Sequence, residues 1–135
     1  MKYDISALGN ALVDTQYMVD HDFLDEIGLE ADSMTLASAE EHSPIIDKLQ
    51  SMGVESVSDC GGSATNSLVA ASYYGSKCHH VCRVANDEDG KKYLESLQKA
   101  GVQHIGYSKE DSEMHTGKCL IFVTPDAKRT MSSML

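Results

Sequence analysis

The chain has 135 residues, 41% of them apolar and 24% charged, which suits one domain with a buried core and is not the composition of a disordered chain. Eleven basic residues against twenty-one acidic ones leave a net charge of −10, which excludes a general phosphate-neutralising face for nucleic acid and disfavours an anionic membrane surface. The sequence has no apolar run of signal or membrane-spanning length, and its four cysteines follow no zinc spacing, so free thiols in a reducing, cytoplasmic compartment are expected.

Tyr3 to Leu8 is a short, largely apolar run that stops at Gly9-Asn10, the pattern of a strand ending in a turn. Leu12 to Met18 is a second extended stretch. Phe23, Leu24 and Ile27 have helical spacing, and Gly28 is a suitable C-terminal cap. Ser33 to Ala37 reads as a strand. Ser38 is the N-cap signal of a helix with Glu40 and Glu41 in its first turn. That helix is expected to turn Ile45, Ile46, Leu49 and Met52 inward and to stop at Gly53.

Val54 to Ser58 is a predicted strand that runs into Cys60-Gly61-Gly62-Ser63, and a helix follows from about Ala64 to Tyr74, ending at Gly75. His79 to Val84 is strand-like. Alternation puts Cys78, His80 and Cys82 on one side of it, where a buried core strand is a better reading than a metal cluster. Asp87-Glu88-Asp89-Gly90 opens another helix, with Tyr93, Leu94, Leu97 and Ala100 as its buried stripe and Gly101 as its end. Val102 to Tyr107 is the next strand and Lys109 to Met114 a polar loop. Lys118 to Thr124 alternates like a strand, Pro125-Asp126 is a turn, and Lys128 to Met134 resumes extended.

Strands alternating with helices from Ser58 to Tyr107 imply βαβ units and a parallel sheet. The segments at 12–18, 33–37 and 118–134 break that rhythm and predict a smaller antiparallel sheet set on the first. No Gly, Pro or charge cluster closes the last segment before Leu135, the pattern of a chain cut rather than finished.

Two stretches can carry chemistry. Gly61-Gly62-Ser63-Ala64-Thr65-Asn66 lies between a strand and a helix. Glycines there let a ligand touch the backbone, the helix start offers N–H groups, and Asn66 on the first turn can both donate and accept. The plainer reading is a tight turn with Ser63 as helix cap. It is neither a Walker loop nor G-x-G-x-x-G. In Gly9-Asn10-Ala11-Leu12-Val13-Asp14, the carboxylate of Asp14 follows a strand and turn amid apolar neighbours. It can accept two hydrogen bonds from vicinal hydroxyls, or simply cap a turn.

G-x-x-x-x-D at Gly9 to Asp14, followed by G-G-x-x-x-N at Gly61 to Asn66, resembles the PfkB/ribokinase family of carbohydrate and nucleoside kinases. Val84-Ala85-Asn86-Asp87-Glu88-Asp89-Gly90 is similar to the family's V-G-x-D-x-x-G, with Ala85 in place of the Gly and Asn86 at the open position before Asp87. Leu97 to Val102 is similar to L-x-x-x-G-V, and Thr116-Gly117 with Arg129-Thr130 to T-G and R-T around a strand and turn. The likeness covers essentially the whole chain in the family's order.

The resemblance implies an α/β, ribokinase-like fold: an incomplete parallel sheet flanked by helices, with a small β-sheet lid contributed by about 12–37 and 115–135. Residues 1–135 would be the N-terminal part of such a kinase domain. It implies in-line transfer of the ATP γ-phosphoryl group, with Mg2+, to an alcohol of a sugar or nucleoside. Asp14, Gly61, Gly62, Ser63 and Asn66 are the implied substrate-binding residues. Ser63 stands where ribokinase-like members place Lys; like the helical stretch around Phe23 to Leu29, it is similar to adenosine kinases, and points to a nucleoside or neutral sugar. The family's D-T-x-G-A-G-D run, which carries the catalytic base and anion hole, is not among these residues. No catalytic residue is therefore assigned to this chain, and the nucleotide pocket is expected outside it. A homodimer through open lid-strand edges is expected. The alternative is a non-catalytic ligand-binding or lid-pairing module on the same fold. A dinucleotide-binding protein lacks its glycine spacing and ribose-binding acid here.

Overall fold

The structure, a computed structural model, describes residues 2–109 and 115–135. Twelve elements follow in order: β1 (Ile5–Leu8), β2 (Leu12–Met18), α1 (His21–Glu26), β3 (Met34–Leu36), α2 (Ala39–Ser51), β4 (Ser56–Gly61), α3 (Ser63–Tyr73), β5 (Cys78–Ala85), α4 (Glu88–Lys99), β6 (Gln103–Lys109), β7 (Gly117–Val123) and β8 (Arg129–Met134). They form two compact units, Met1–Asp14 with Asp59–Lys118 and Leu135, and Thr15–Ser58 with Cys119–Met134. Of the predicted polar loop, 110–114 lie outside the described residues.

The first unit is built on a parallel sheet of order β1-β5-β6. Helix α3 packs on β1 and β5, and α4 on β5 and β6. Alternation along β5 buries Cys78, His80, Cys82 and Val84. Of these, Cys78, Cys82 and Val84 join Ala11, Val13, Leu68, Tyr93, Leu97 and Val102 in one core. The next row of the sheet, Leu8–Val81–Ile105 by register, belongs to the other face. There Leu8 is 81%, Val81 39% and Ile105 59% exposed. Gly9 ends β1 against α3: a methyl group on it would come within 2.6 Å of the Ala64 Cβ.

The second sheet has the order β3-β8-β7-β2-β4. Phe23, Leu24 and Leu49 from α1 and α2 meet Tyr17, Leu120 and Phe122 from its strands in a second core. Two expectations are corrected here. The sheet is not wholly antiparallel, because β3 pairs with β8 in parallel register, Met34 opposite Met131. Nor does the strand before the glycines stop at Ser58; β4 runs on through Cys60 to Gly61 and joins this sheet beside β2.

The caps explain where the helices start. Asp20, Ser38 and Asp87 each accept a hydrogen bond from the N–H three residues on. At α2 the bond is reciprocal, a capping box in which Glu41 returns to the Ser38 N–H. The expected inward stripe of α2 is one turn off at its end. Met52 is the C-cap and 56% exposed, whereas His42 is buried and bonds Ser132 at 2.9 Å. The face runs 42, 45, 46, 49 and ends where the chain leaves the helix.

Candidate functional site

Asp14 sits on β2 just after buried Val13 and is itself partly exposed. β4 brings Gly61 directly beside it. A methyl group on Gly61 would overlap the Asp14 carboxylate, so only glycine leaves that carboxylate its place. Gly62 is the N-cap of α3, at φ 101° and ψ 145°, a conformation reserved for glycine. A methyl group there would also come within 2.6 Å of the Asn10 carbonyl. Gly61 is thus demanded by the Asp14 side chain, and Gly62 by its own backbone conformation.

Asp59 anchors the strand end that carries them. Its carboxylate accepts from the Cys60 N–H at 2.8 Å and from the Ser96 hydroxyl, and Ser96 Oγ also accepts from Cys60 N–H at 3.2 Å. The start of α3 differs from the three capped helices, because no side chain caps it at Gly62. Ser63, read from sequence as the cap, is instead the first helical residue and is exposed. Asn66 is one turn further on, exposed, its N–H bonded to the Gly62 carbonyl at 2.9 Å.

The structure therefore brings Asp14, Gly61 and Gly62 together, with Ser63 and Asn66 on the helical turn that follows. A cavity of about 580 Å³ in the same unit is lined by Leu8 to Leu12, Val81 to Ala85, His115, Gly117 and Leu135. None of the five predicted site residues lines it, but it shares the Gly9-Asn10 turn that leads to Asp14. It lies at the carboxyl ends of β1 and β5, where open α/β sheets bind ligands.

The Asp87 motif has a structural meaning that sequence reading missed. Asp87 Oδ1 accepts from the Gly90 N–H at 2.7 Å and from the Thr116 hydroxyl at 2.6 Å, and Oδ2 from the Thr116 N–H at 2.8 Å. Thr116 Oγ1 in turn accepts from the Ala85 N–H at 3.0 Å. A methyl group on Gly90 would overlap the Ala85 carbonyl. The carboxylate of one motif and the threonine of another are thus two sides of one clasp. The signal was present as two polar motifs far apart in sequence. Burial alone would raise the Asp87 carboxyl, but the bonds from Thr116 and Gly90 outweigh it and hold the group below the usual range.

Among the described residues no group of three or more His, Cys, Asp or Glu converges in a way that could hold a metal ion. All four cysteines are free thiols. No helix of the described residues is long and apolar enough to cross a membrane.

Residues 33–134 match the model of the pfkB family carbohydrate kinases. A probable sugar kinase protein from Rhizobium etli CFN 42 superposes with a TM-score of 0.86 at 26% identity, over 98% of this chain and 39% of its own. The adenosine kinase from Sinorhizobium meliloti does so with 0.83 at 28% identity, over 100% and 40%. Anopheles gambiae adenosine kinase, solved in complex with P1,P4-di(adenosine-5) tetraphosphate, gives 0.80 at 25% identity, over 96% and 38%. The chain spans about two fifths of the length of these structures. With its helix-flanked parallel sheet, its paired glycines opening α3 and a match over most of its length, the chain belongs to the pfkB family of carbohydrate kinases.

Proposed function

We propose that this chain is the acceptor-binding part of an ATP-dependent kinase that phosphorylates an alcohol group of a nucleoside or a neutral sugar. The observation that carries the reading is the Asp14 carboxylate set against Gly61, beside a helix start that no side chain caps. A carboxylate accepts two hydrogen bonds from vicinal hydroxyls, and a first helical turn offers N–H donors to an oxygen-rich ligand. Asn66, on that turn, would add a group that both donates and accepts. Ser63 contributes a neutral hydroxyl, which suits an uncharged acceptor.

In this reading the residues of this chain bind and orient the acceptor hydroxyl, the part of catalysis that comes from positioning. The phosphoryl group would come from ATP with Mg2+, bound by residues outside these 135. The second sheet is read as a lid whose closure excludes water. Adenosine kinases among the similar structures favour a nucleoside. The free cysteines suit a reducing cytoplasm.

Calorimetry with adenosine and with a neutral hexose tests the site. Asp14→Ala is expected to weaken acceptor binding by about 3–5 kcal/mol, the loss of two charge-assisted hydrogen bonds. In a protein that includes the nucleotide half, ATP affinity should stay unchanged. An Asp14→Ala variant that binds its acceptor as tightly as the wild type would refute the assignment.

A further inference from the structure

Beneath the Gly62 turn lie three polar side chains with no exposed surface: Thr65 on α3, His80 on β5 and Tyr93 on α4. His80 Nδ1 is 3.3 Å from the Ala7 carbonyl oxygen on β1, and Nε2 is 3.2 Å from Thr65 Oγ1. Thr65 Oγ1 is 2.8 Å from the Tyr93 hydroxyl.

One atom fixes the direction of every bond. A carbonyl only accepts, so His80 Nδ1 must carry a proton. Burial lowers the pKa of the imidazole and so favours its neutral form, in which Nε2 accepts a hydrogen bond donated by the Thr65 hydroxyl. Thr65 Oγ1 then accepts from the Tyr93 hydroxyl. The row ties β1, β5, α3 and α4 together at the third residue of α3. That residue adjoins Asn66, and a methyl group on Gly62 would lie 3.5 Å from its hydroxyl oxygen. Apolar side chains would fill the same space without the cost of burying three polar groups.

We propose that Tyr93, Thr65 and His80 are positioning residues: a one-directional hydrogen-bond row that locks the first turn of α3, and with it Gly62 and Asn66, in the geometry that receives the acceptor. The proposal rests on the acceptor-site reading above for its purpose, but not for its mechanics. A merely structural row would lower melting temperature and nothing else. A positioning row acts on Asn66 even where the fold is intact.

The test compares Thr65→Val, Thr65→Ser and Tyr93→Phe in the 135-residue chain. Amide hydrogen exchange at Asn66 is measured relative to amides of β5, the His80 nitrogen shifts report its tautomer, and calorimetry with adenosine gives affinity. With the hydroxyl gone in Thr65→Val, Asn66 exchange should speed up by about tenfold relative to β5 and affinity should fall by about the same factor, the worth of one buried hydrogen bond. The His80 shifts should move towards a tautomer mixture. Thr65→Ser, which keeps the hydroxyl, should restore all three, and Tyr93→Phe should give a smaller change in the same direction. If Thr65→Val does not fold, Tyr93→Phe against wild type decides. Unchanged Asn66 exchange and His80 shifts in a folded variant would overturn the proposal. A wild-type chain that binds neither adenosine nor a hexose would overturn the acceptor reading instead, and exchange at Asn66 would still decide the row.

Discussion

At the Asp87 carboxylate, burial and hydrogen bonding pull proton affinity in opposite directions, and hydrogen bonding wins. The folded pKa therefore lies below the unfolded one. The stabilisation is complete above the ordinary Asp value of about 3.9 and is lost as pH falls through the lower folded value. Asp87→Asn puts an amide N–H₂ against a donor at Gly90 or Thr116, leaving one of them unsatisfied. It should cost about 1–3 kcal/mol at neutral pH. Urea titrations from pH 7 to pH 2 should show that difference shrinking as the wild-type carboxylate is protonated. A gap independent of pH would mean that charge is not what the clasp uses. Gly61 is legible from sequence as a glycine but not as the partner of Asp14, because the two meet only when β4 pairs beside β2.

Helix α2 was the most readable element. Ser38, the acidic first turn and Gly53 mark its ends in the sequence, and the structure has the Ser38 cap and a Gly53 at φ 68°. Ser38→Ala should lower stability by about 1 kcal/mol, whereas Ser38→Gly should cost only a few tenths. Equal losses for the two in thermal melts would show that the side-chain cap is not the cause. What sequence periodicity missed on this helix is His42, because a histidine is not counted in an apolar stripe. Its burial follows from Ser132 on β8, ninety residues away. The approach of β1 to α3 is equally invisible in one dimension. Gly9 is needed because Ala64 packs on it.

For the molecule as a whole, two surfaces are candidates for self-association. One is the row Leu8–Val81–Ile105 on the parallel sheet. The other is β3, an edge strand with Met34 66% and Leu36 71% exposed. Exposed apolar rows and open edges both recruit partners. Sedimentation velocity over a concentration series should show association of the 135-residue chain. Leu36→Lys should abolish it if the edge of β3 is responsible, and Val81→Lys if the sheet face is. A monomer at every concentration would count against both.

The sequence by itself determined the local elements, the α/β rhythm from Ser58 to Tyr107, the family likeness and the glycine pair that opens α3. Capping, turn chemistry and periodicity act over a few residues, so they are written in neighbouring letters. Only the tertiary structure decided that β4 leaves the parallel sheet for the second one, that β3 pairs in parallel with β8, and that Asp87 clasps Thr116. It alone also lined up Tyr93, Thr65, His80 and Ala7. Those outcomes depend on which distant segments meet, and a buried polar group finds its partner only after the chain has brought the two together.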